Sequence, residues 1–249
     1  MQISWSLGDW LPVLHRLPHK PDLTGKGQVA ITIDDGPNPD TTPAILDLLA
    51  QHQGQATFFL SGWRLDQHAD LVARIVAEGH GVYAHGWDHV RLDKVPSQQV
   101  RTDMERCEAV LARFRPTPFP YLIRLPKNGG YRNARVHRIL RAWQPGCQFV
   151  HWSHGTEDHM ISPHVAVPAD IERLSRDHID HLLARTDLNG GIVLMHDQPL
   201  NDRPGAEHKA PVTIAVIRLL LEGLTARGWK SVPVIPKGHQ PWWTRFMMV

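Results

Sequence analysis

The chain has 249 residues, 42% of them hydrophobic and 21% charged, a balance typical of a globular protein. This length favours one large domain with a sizeable core. The formal net charge of +2 argues against a nucleic-acid partner, and two cysteines cannot form a disulfide framework or a paired-cysteine zinc site.

Apolar patterns typical of strands and helices alternate about seven times along the chain. Strands are predicted at 29–33, 55–60, 82–84, 121–123, 148–152, 191–195 and 230–235. Helices are predicted at 42–52, 63–78, 97–114, 133–143, 168–186 and 209–227, with threonine and serine caps for the first and third. This alternation predicts an α/β fold with a mostly parallel sheet, outer helices and closure as a barrel.

Two adjacent carboxylates, Asp34 and Asp35, end the first predicted strand and precede Gly36-Pro37. This position is the carboxyl end of a strand, where α/β folds keep their active sites. Neighbouring side chains on a strand point in roughly opposite directions. The two carboxylates could therefore serve different roles, one holding a metal and the other accepting a proton.

Other polar side chains also follow predicted strands, and on a barrel these positions meet at one mouth. They are His85 with His89, Arg124, Asp158 and His196. The spacing of His85 and His89 places two imidazoles on one side of a helical turn. Together with Asp35 they form a two-histidine, one-carboxylate set that suits zinc or another divalent metal.

His196 is the candidate general acid, because imidazole titrates near neutral pH. Asp158 and Arg124 are interpreted as supporting charges that set the protonation of His196 and Asp34. The alternatives are a buried hydrogen-bonded histidine and loop salt bridges without a catalytic role.

These residues resemble the motifs of the polysaccharide deacetylase family, the NodB-homology carbohydrate esterases, over about residues 28–235. The family motifs T-F-D-D-G-P, H-[ST]-x-x-H, R-x-P-Y and L-x-H correspond to Thr32-Ile33-Asp34-Asp35-Gly36-Pro37, His85-Gly86-Trp87-Asp88-His89, Arg124-Leu125-Pro126-Lys127 and Leu194-Met195-His196. The motif D-x-x-D-W is matched only through Asp158. Five motifs in the family's order are a specific signal.

The resemblance implies a distorted (β/α) barrel of about seven parallel strands and a hydrolase that removes the N-acetyl group from an N-acetylated sugar, glycan or sugar-lipid. It implies Asp34 as base, His196 as acid, and Asp35, His85 and His89 as ligands of zinc, cobalt or another divalent metal. Arg124 and Asp158 would complete the catalytic set, and Lys127, Leu194 and Trp87 would contact substrate.

The chain departs from the family pattern mainly on the surface expected to face substrate. Gly86 replaces Ser or Thr beside the first ligand histidine, and Lys127 replaces a tyrosine. Gly155 and His159 replace the first Asp and the Trp of the fourth motif. These changes bear on the substrate more than on the reaction.

The expected organisation is an extension at 1–27, a catalytic domain at 28–236 and an apolar tail at 237–249. The apolar termini either pack on the domain or contact a membrane surface or lipid-linked substrate. Residues 1–20 show no secretory signal, and no window of about 18 apolar residues predicts a transmembrane segment. A cytoplasmic location, with or without membrane contact, is the expectation, and the oligomeric state is open.

Two other functions fit the same residues. An O-deacetylase, a deformylase or an amidohydrolase acting on a non-sugar amide would keep the metal site. A non-catalytic carbohydrate-binding domain would keep the fold alone, but it has no need of a base at Asp34 and an acid at His196.

Overall fold

The computed structural model describes residues 13–17, 27–198, 200 and 205–237. Its strands are β1 (Val13–Leu14), β2 (Gln28–Asp34), β3 (Thr57–Leu60), β4 (Gly81–Ala84), β5 (Leu122–Ile123), β6 (Gln148–Val150), β7 (His154–Gly155), β8 (Ile192–His196) and β9 (Lys230–Val232). Its helices are α1 (Thr42–Gln51), α2 (Gly62–Gln67), α3 (Ala69–Ala77), α4 (Ser97–Leu111), α5 (Ala134–Trp143), α6 (Asp158–Ile161), α7 (Ala169–Leu183) and α8 (Lys209–Ala226).

The strands pair in two parallel sheets. The larger sheet has the order β4-β3-β2-β8-β7, with β9 also paired to β2, and the smaller has the order β1-β6-β5. Strand β2 is therefore central, with β3, β8 and β9 hydrogen-bonded to it. The predicted α/β fold with parallel strands is confirmed.

Strand β2 separates two buried layers because its side chains alternate between its faces. Val29, Ile31 and Ile33 are fully buried in the outer core, which includes residues of α1 and α8. Each such side chain contributes roughly 2 kcal/mol through removal of apolar surface from water. Ala30 points the other way, into a second cluster.

This second cluster lies between the two sheets and joins residues of both. Its buried members are Leu14, Leu17, Ala30, Phe59, Leu122, Val150, Ile192 and Val234. The sheets also adjoin beside β4 and β5, where the Ala84 N–H donates to the Tyr121 hydroxyl at 3.1 Å. The two sheets thus enclose one interior, as expected for a distorted barrel.

Several local predictions differ from the structure. The helix predicted at 63–78 is divided into α2 and α3 at His68, whose φ of −128° and ψ of 49° are not helical. Pro96, and not Ser97, is at the N-cap of α4. Strand β7 and helix α6 were not predicted, because they are too short to show a periodic pattern.

The predicted extension and tail lie largely outside the described residues, which omit 1–12, 18–26 and 238–249. The described part of the extension forms β1, which pairs with β6. At the other end, the Lys237 N–H donates to the Gln148 side chain at 2.9 Å. None of the helices in the described part of the chain is long and apolar enough to span a bilayer.

Candidate active site

The site lies at the carboxyl ends of the parallel strands. Asp34 ends β2 and is paired in register with His196, the last residue of β8. His85 follows β4 directly, and Arg124 follows β5. Parallel strands present their carboxyl ends at one edge, so residues distant in sequence meet there. The structure brings together the predicted base, acid, metal ligands and supporting charges.

Asp34 and Asp35 face the same site and not opposite sides of the sheet, so that prediction is wrong. The strand ends at Asp34, and Asp35 has a positive φ of 76°. This left-handed conformation, uncommon outside glycine, redirects its side chain. As a result His85 Nε2 lies 3.6 Å from Asp34 Oδ2 and 3.7 Å from Asp35 Oδ1.

The Asp35 turn is held by residues from distant segments. Arg64 donates to the Asp35 carbonyl at 2.9 Å. The fully buried Asp197 accepts hydrogen bonds from the hydroxyls of Thr41 and Thr42. A Cβ added at Gly36 would lie 2.5 Å from Asp197 Oδ2, so only glycine fits. We did not single out Asp197 from the sequence, although its position directly after His196 was a usable signal.

Asp35, His85 and His89 form a donor set suited to a divalent metal. Their ligand atoms lie within 4.8 Å of one another, and all three side chains are buried. Asp35 Oδ1 lies 3.0 Å from His89 Nε2 but is among the buried atoms without a hydrogen-bond partner in the described part of the chain. An ion between these atoms would satisfy that oxygen.

The protonation states of this set also fit a metal, which binds neutral imidazoles and carboxylates. Burial lowers the pKa of His85. Its Nδ1 donates to the Arg124 carbonyl at 3.1 Å, which leaves the Nε2 lone pair facing the carboxylates. Burial raises the pKa of Asp35, but His89 and the other nearby histidines outweigh this effect and hold it far below its usual range.

The segment between the two ligand histidines is a loop, so the predicted helical turn is wrong. Gly86 has a φ of 85° and His89 a φ of 48°. The Asp103 carboxylate accepts hydrogen bonds from the backbone N–H groups of Trp87, at 2.9 Å, and of Asp88, at 3.0 Å. A Cβ at Gly86 would lie 2.6 Å from Asp103 Oδ2. Gly86 is therefore required by this close approach, and Asp103 braces the loop.

Asp34 is paired with Arg124 in the barrel interior. The guanidinium is fully buried and donates to Asp34 Oδ1 at 3.1 Å and to the Thr32 hydroxyl at 2.6 Å. It also lies 4.6 Å from the centroid of the Phe59 ring. The ion pair neutralises the buried Asp34 carboxylate, and its hydrogen bonds fix the orientation of that carboxylate.

His196 and Asp158 form a second charged pair. Asp158 Oδ1 lies 2.9 Å from His196 Nδ1, and Asp158 Oδ2 accepts the His196 backbone N–H at 2.8 Å. Burial lowers the pKa of His196, but the charge and hydrogen bond of Asp158 outweigh it and raise the pKa to about 10. The His196 side chain is therefore a protonated imidazolium at neutral pH, and its Nε2 is left to donate a proton.

The Asp158→Asn variant tests this pair through its pH dependence. An unfolded histidine titrates near 6.5, whereas folded His196 titrates near 10. The pair therefore stabilises the fold fully below pH 6.5 and loses this effect as the pH rises through 10. We expect the variant to be less stable by about 3 kcal/mol at pH 6, and the deficit to shrink by more than half at pH 10.

The measurement is denaturant unfolding of the metal-free chain at pH 6, 8 and 10. Asp177→Asn, at an exposed carboxylate, is the matched control and should leave stability unchanged. A deficit that is constant with pH would mean that Asp158 does not hold the proton on His196.

The three predicted substrate contacts lie in different settings, and their roles stay predictions. Lys127 is exposed in a short 3-10 segment and has a φ of 50°. Leu194 pairs in register with Thr32 and is mostly buried. Trp87 packs on Gly62, with the Arg106 guanidinium 4.0 Å from its ring centroid.

Comparison with known proteins agrees with this geometry. A profile of the family described as polysaccharide deacetylase matches residues 22–144. A peptidoglycan-N-acetylglucosamine deacetylase of Bacillus cereus is 30% identical over 206 residues, which are 83% of this chain and 85% of that protein. A chitooligosaccharide deacetylase of Bradyrhizobium sp. is 30% identical over 224 residues, 88% of this chain and 93% of that protein.

A solved structure supports the fold as well. The chitin deacetylase of the fungal pathogen Colletotrichum lindemuthianum superposes with a TM-score of 0.67 and covers 90% of this chain and 91% of that chain. The two sequences are 24% identical over the matched region. At this identity the similarity concerns the fold.

Proposed function

Because the chain belongs to the polysaccharide deacetylase family, we propose that it is a metal-dependent hydrolase that removes the N-acetyl group from an N-acetylated sugar, glycan or sugar-lipid. The observation that carries this proposal is the meeting of three groups at one mouth. They are the Asp35-His85-His89 donor set, the Asp34–Arg124 pair and the Asp158–His196 pair.

The proposed cofactor is zinc, with cobalt or another divalent ion as alternatives, held by Asp35, His85 and His89. A bound divalent ion supplies Lewis-acid polarisation of the acyl carbonyl and of water. The chain itself supplies two imidazoles, a buried carboxylate and the Arg124 carbonyl that orients His85.

The proton transfers are assigned to the two charged pairs. Asp34 accepts the proton of the attacking water, and Arg124 fixes its orientation from the buried side. His196 donates a proton to the leaving amine from Nε2, because Asp158 holds Nδ1. Water and amide are thereby converted to acetate and a free amine.

The substrate class rests on the relatives, whose names specify peptidoglycan N-acetylglucosamine and chitooligosaccharide. We propose an N-acetylated sugar of this type for the present chain. Lys127 replaces the tyrosine of the third motif and is exposed. Its charge favours an anionic glycan or a lipid-linked sugar phosphate within this class.

The test is acetate release from a panel of N-acetylated mono-, oligo- and lipid-linked sugars and peptidoglycan. We expect release with added zinc or cobalt, loss of release with a chelator, and recovery when the ion is restored. Release only from O-acetyl or N-formyl substrates would replace the N-deacetylase assignment with one of those activities. Binding of glycans without release of any acyl group would indicate a binding domain.

A further inference from the structure

A second cluster of metal-ligating side chains lies beside the proposed active site. Asp158, His159 and His196 each offer one ligand atom, and these atoms lie within 4.8 Å of one another. None of the three belongs to the Asp35-His85-His89 set. The cluster includes His159, which stands where the family's fourth motif has tryptophan.

His159 presents a nitrogen that the described part of the chain leaves without a hydrogen bond. Its Nδ1 is buried and lies 3.9 Å from Asp158 Oδ1, too far for a hydrogen bond. The His159 ring meets the His196 ring edge-on, with centroids 5.5 Å apart. The nitrogen thus faces a carboxylate without bonding to it.

Two of the three separations between these atoms are close to those of a zinc site, and the third, between the two imidazole nitrogens, is within 4.8 Å. Tetrahedral zinc with ligands at about 2.0–2.1 Å separates its ligand atoms by roughly 3.3 Å. The two distances from Asp158 Oδ1 are 2.9 Å to His196 Nδ1 and 3.9 Å to His159 Nδ1. To reach the zinc spacing, the distance to His196 must lengthen and the distance to His159 must shorten, each by about half an ångström, which is a small side-chain movement.

The carboxylate of the cluster is also braced. Asp158 Oδ2 accepts the His196 backbone N–H at 2.8 Å, which leaves Oδ1 directed at the two imidazoles. Supporting hydrogen bonds of this kind orient metal ligands. The side chains of His196 and His159 are 18% and 31% exposed, so the cluster lies close to solvent.

We propose that Asp158, His159 and His196 form a second, weaker site for a divalent transition-metal ion such as zinc. The ion takes the place of the proton shared by Asp158 and His196. His196 bound in this way is a neutral imidazole in place of an imidazolium, and its Nε2 proton is a much weaker acid, so excess zinc inhibits the enzyme. This consequence rests on the proposed function, whereas the binding site does not.

The direct test is the number of Co²⁺ and Zn²⁺ ions bound per chain, measured by equilibrium dialysis and by Co²⁺ absorption spectra. We expect the full chain to bind one more ion than His159→Phe, with at least tenfold weaker affinity than for the first ion. The phenylalanine keeps an aromatic ring at a position where the family has tryptophan. His164→Phe changes an exposed histidine nearby and is the matched control.

A complementary variant distinguishes ion binding at the second site from ion binding at the Asp35-His85-His89 set. His85→Ala should lose the tighter ion and keep the weaker one, because it leaves all three residues of the second site in place. Equal ion numbers in the parent and His159→Phe overturn the proposal. If His159→Phe does not fold, as judged by circular dichroism, His159→Gln takes its place with the same expectation.

Activity provides the second readout. Acetate release by the parent should fall at least fivefold when zinc exceeds one equivalent, whereas His159→Phe should be insensitive to excess zinc. Equal inhibition of both proteins overturns the inhibitory role. Absence of acetate release from every protein, with the second ion still bound, contradicts the proposed function and supports the site.

Discussion

Replacement of Asp34 by Asn is expected to lower deacetylation turnover by about 100-fold or more while the metal stays bound. The amide has nearly the same shape but cannot accept the water's proton. The metal is retained because Asp35, His85 and His89 are unchanged. Turnover and bound metal are measured on the same zinc-loaded preparation.

Asp34→Asn also leaves the buried Arg124 guanidinium without its ionic partner, which costs about 3–5 kcal/mol of stability. The thermal unfolding of each variant is therefore measured as well, and turnover is compared at temperatures below the unfolding transition. Asp66→Asn, at an exposed carboxylate 3.4 Å from Arg113, is the matched control and should keep full activity. Loss of the metal with Asp34→Asn would make Asp34 a ligand and not a base.

Replacement of His196 by Ala is expected to lower turnover on N-acetyl substrates by about 100-fold or more. The amine is a poor leaving group and needs the proton that His196 carries. An aryl acetate releases a phenolate that needs no proton, so the same variant should lose less than tenfold with it. The ratio of the two losses identifies general-acid catalysis.

His164→Ala is the control for His196→Ala, because His164 is an exposed histidine outside the site. Metal content is measured in both variants, since His196 is not one of the three proposed ligands of the catalytic metal. Equal losses on N-acetyl and aryl acetate substrates would show that His196 acts in a step common to both, and would refute the acid assignment.

The order of strands and helices was predictable because local patterns encode it. The run before Asp34 is short, apolar and closed by Gly-Pro, which indicates a buried strand in any context. Polar residues at successive strand ends then predict one mouth, since parallel strands share an edge. His85, Arg124 and His196 were located in this way, and the structure places them together.

The helix break at His68 and the short elements β7 and α6 were not predictable in the same way. A short element carries too few residues for a period to be recognised. The apolar face of the predicted helix continues across His68, so the pattern shows no interruption there. The assembly of two sheets around one interior is likewise decided by packing between distant strands.

The sequence by itself determined the element order, the strand-end positions of the polar residues and the family motifs. The tertiary structure alone decided that Asp35 faces the same site as Asp34, because contacts from distant segments hold the turn between them. Arg64 donates to the Asp35 carbonyl, and the Asp197 backbone N–H donates to the Asp34 carbonyl at 2.8 Å. The tertiary structure also placed the Asp103 carboxylate on the histidine loop. Such contacts join segments that no local window contains, so only the folded chain reveals them.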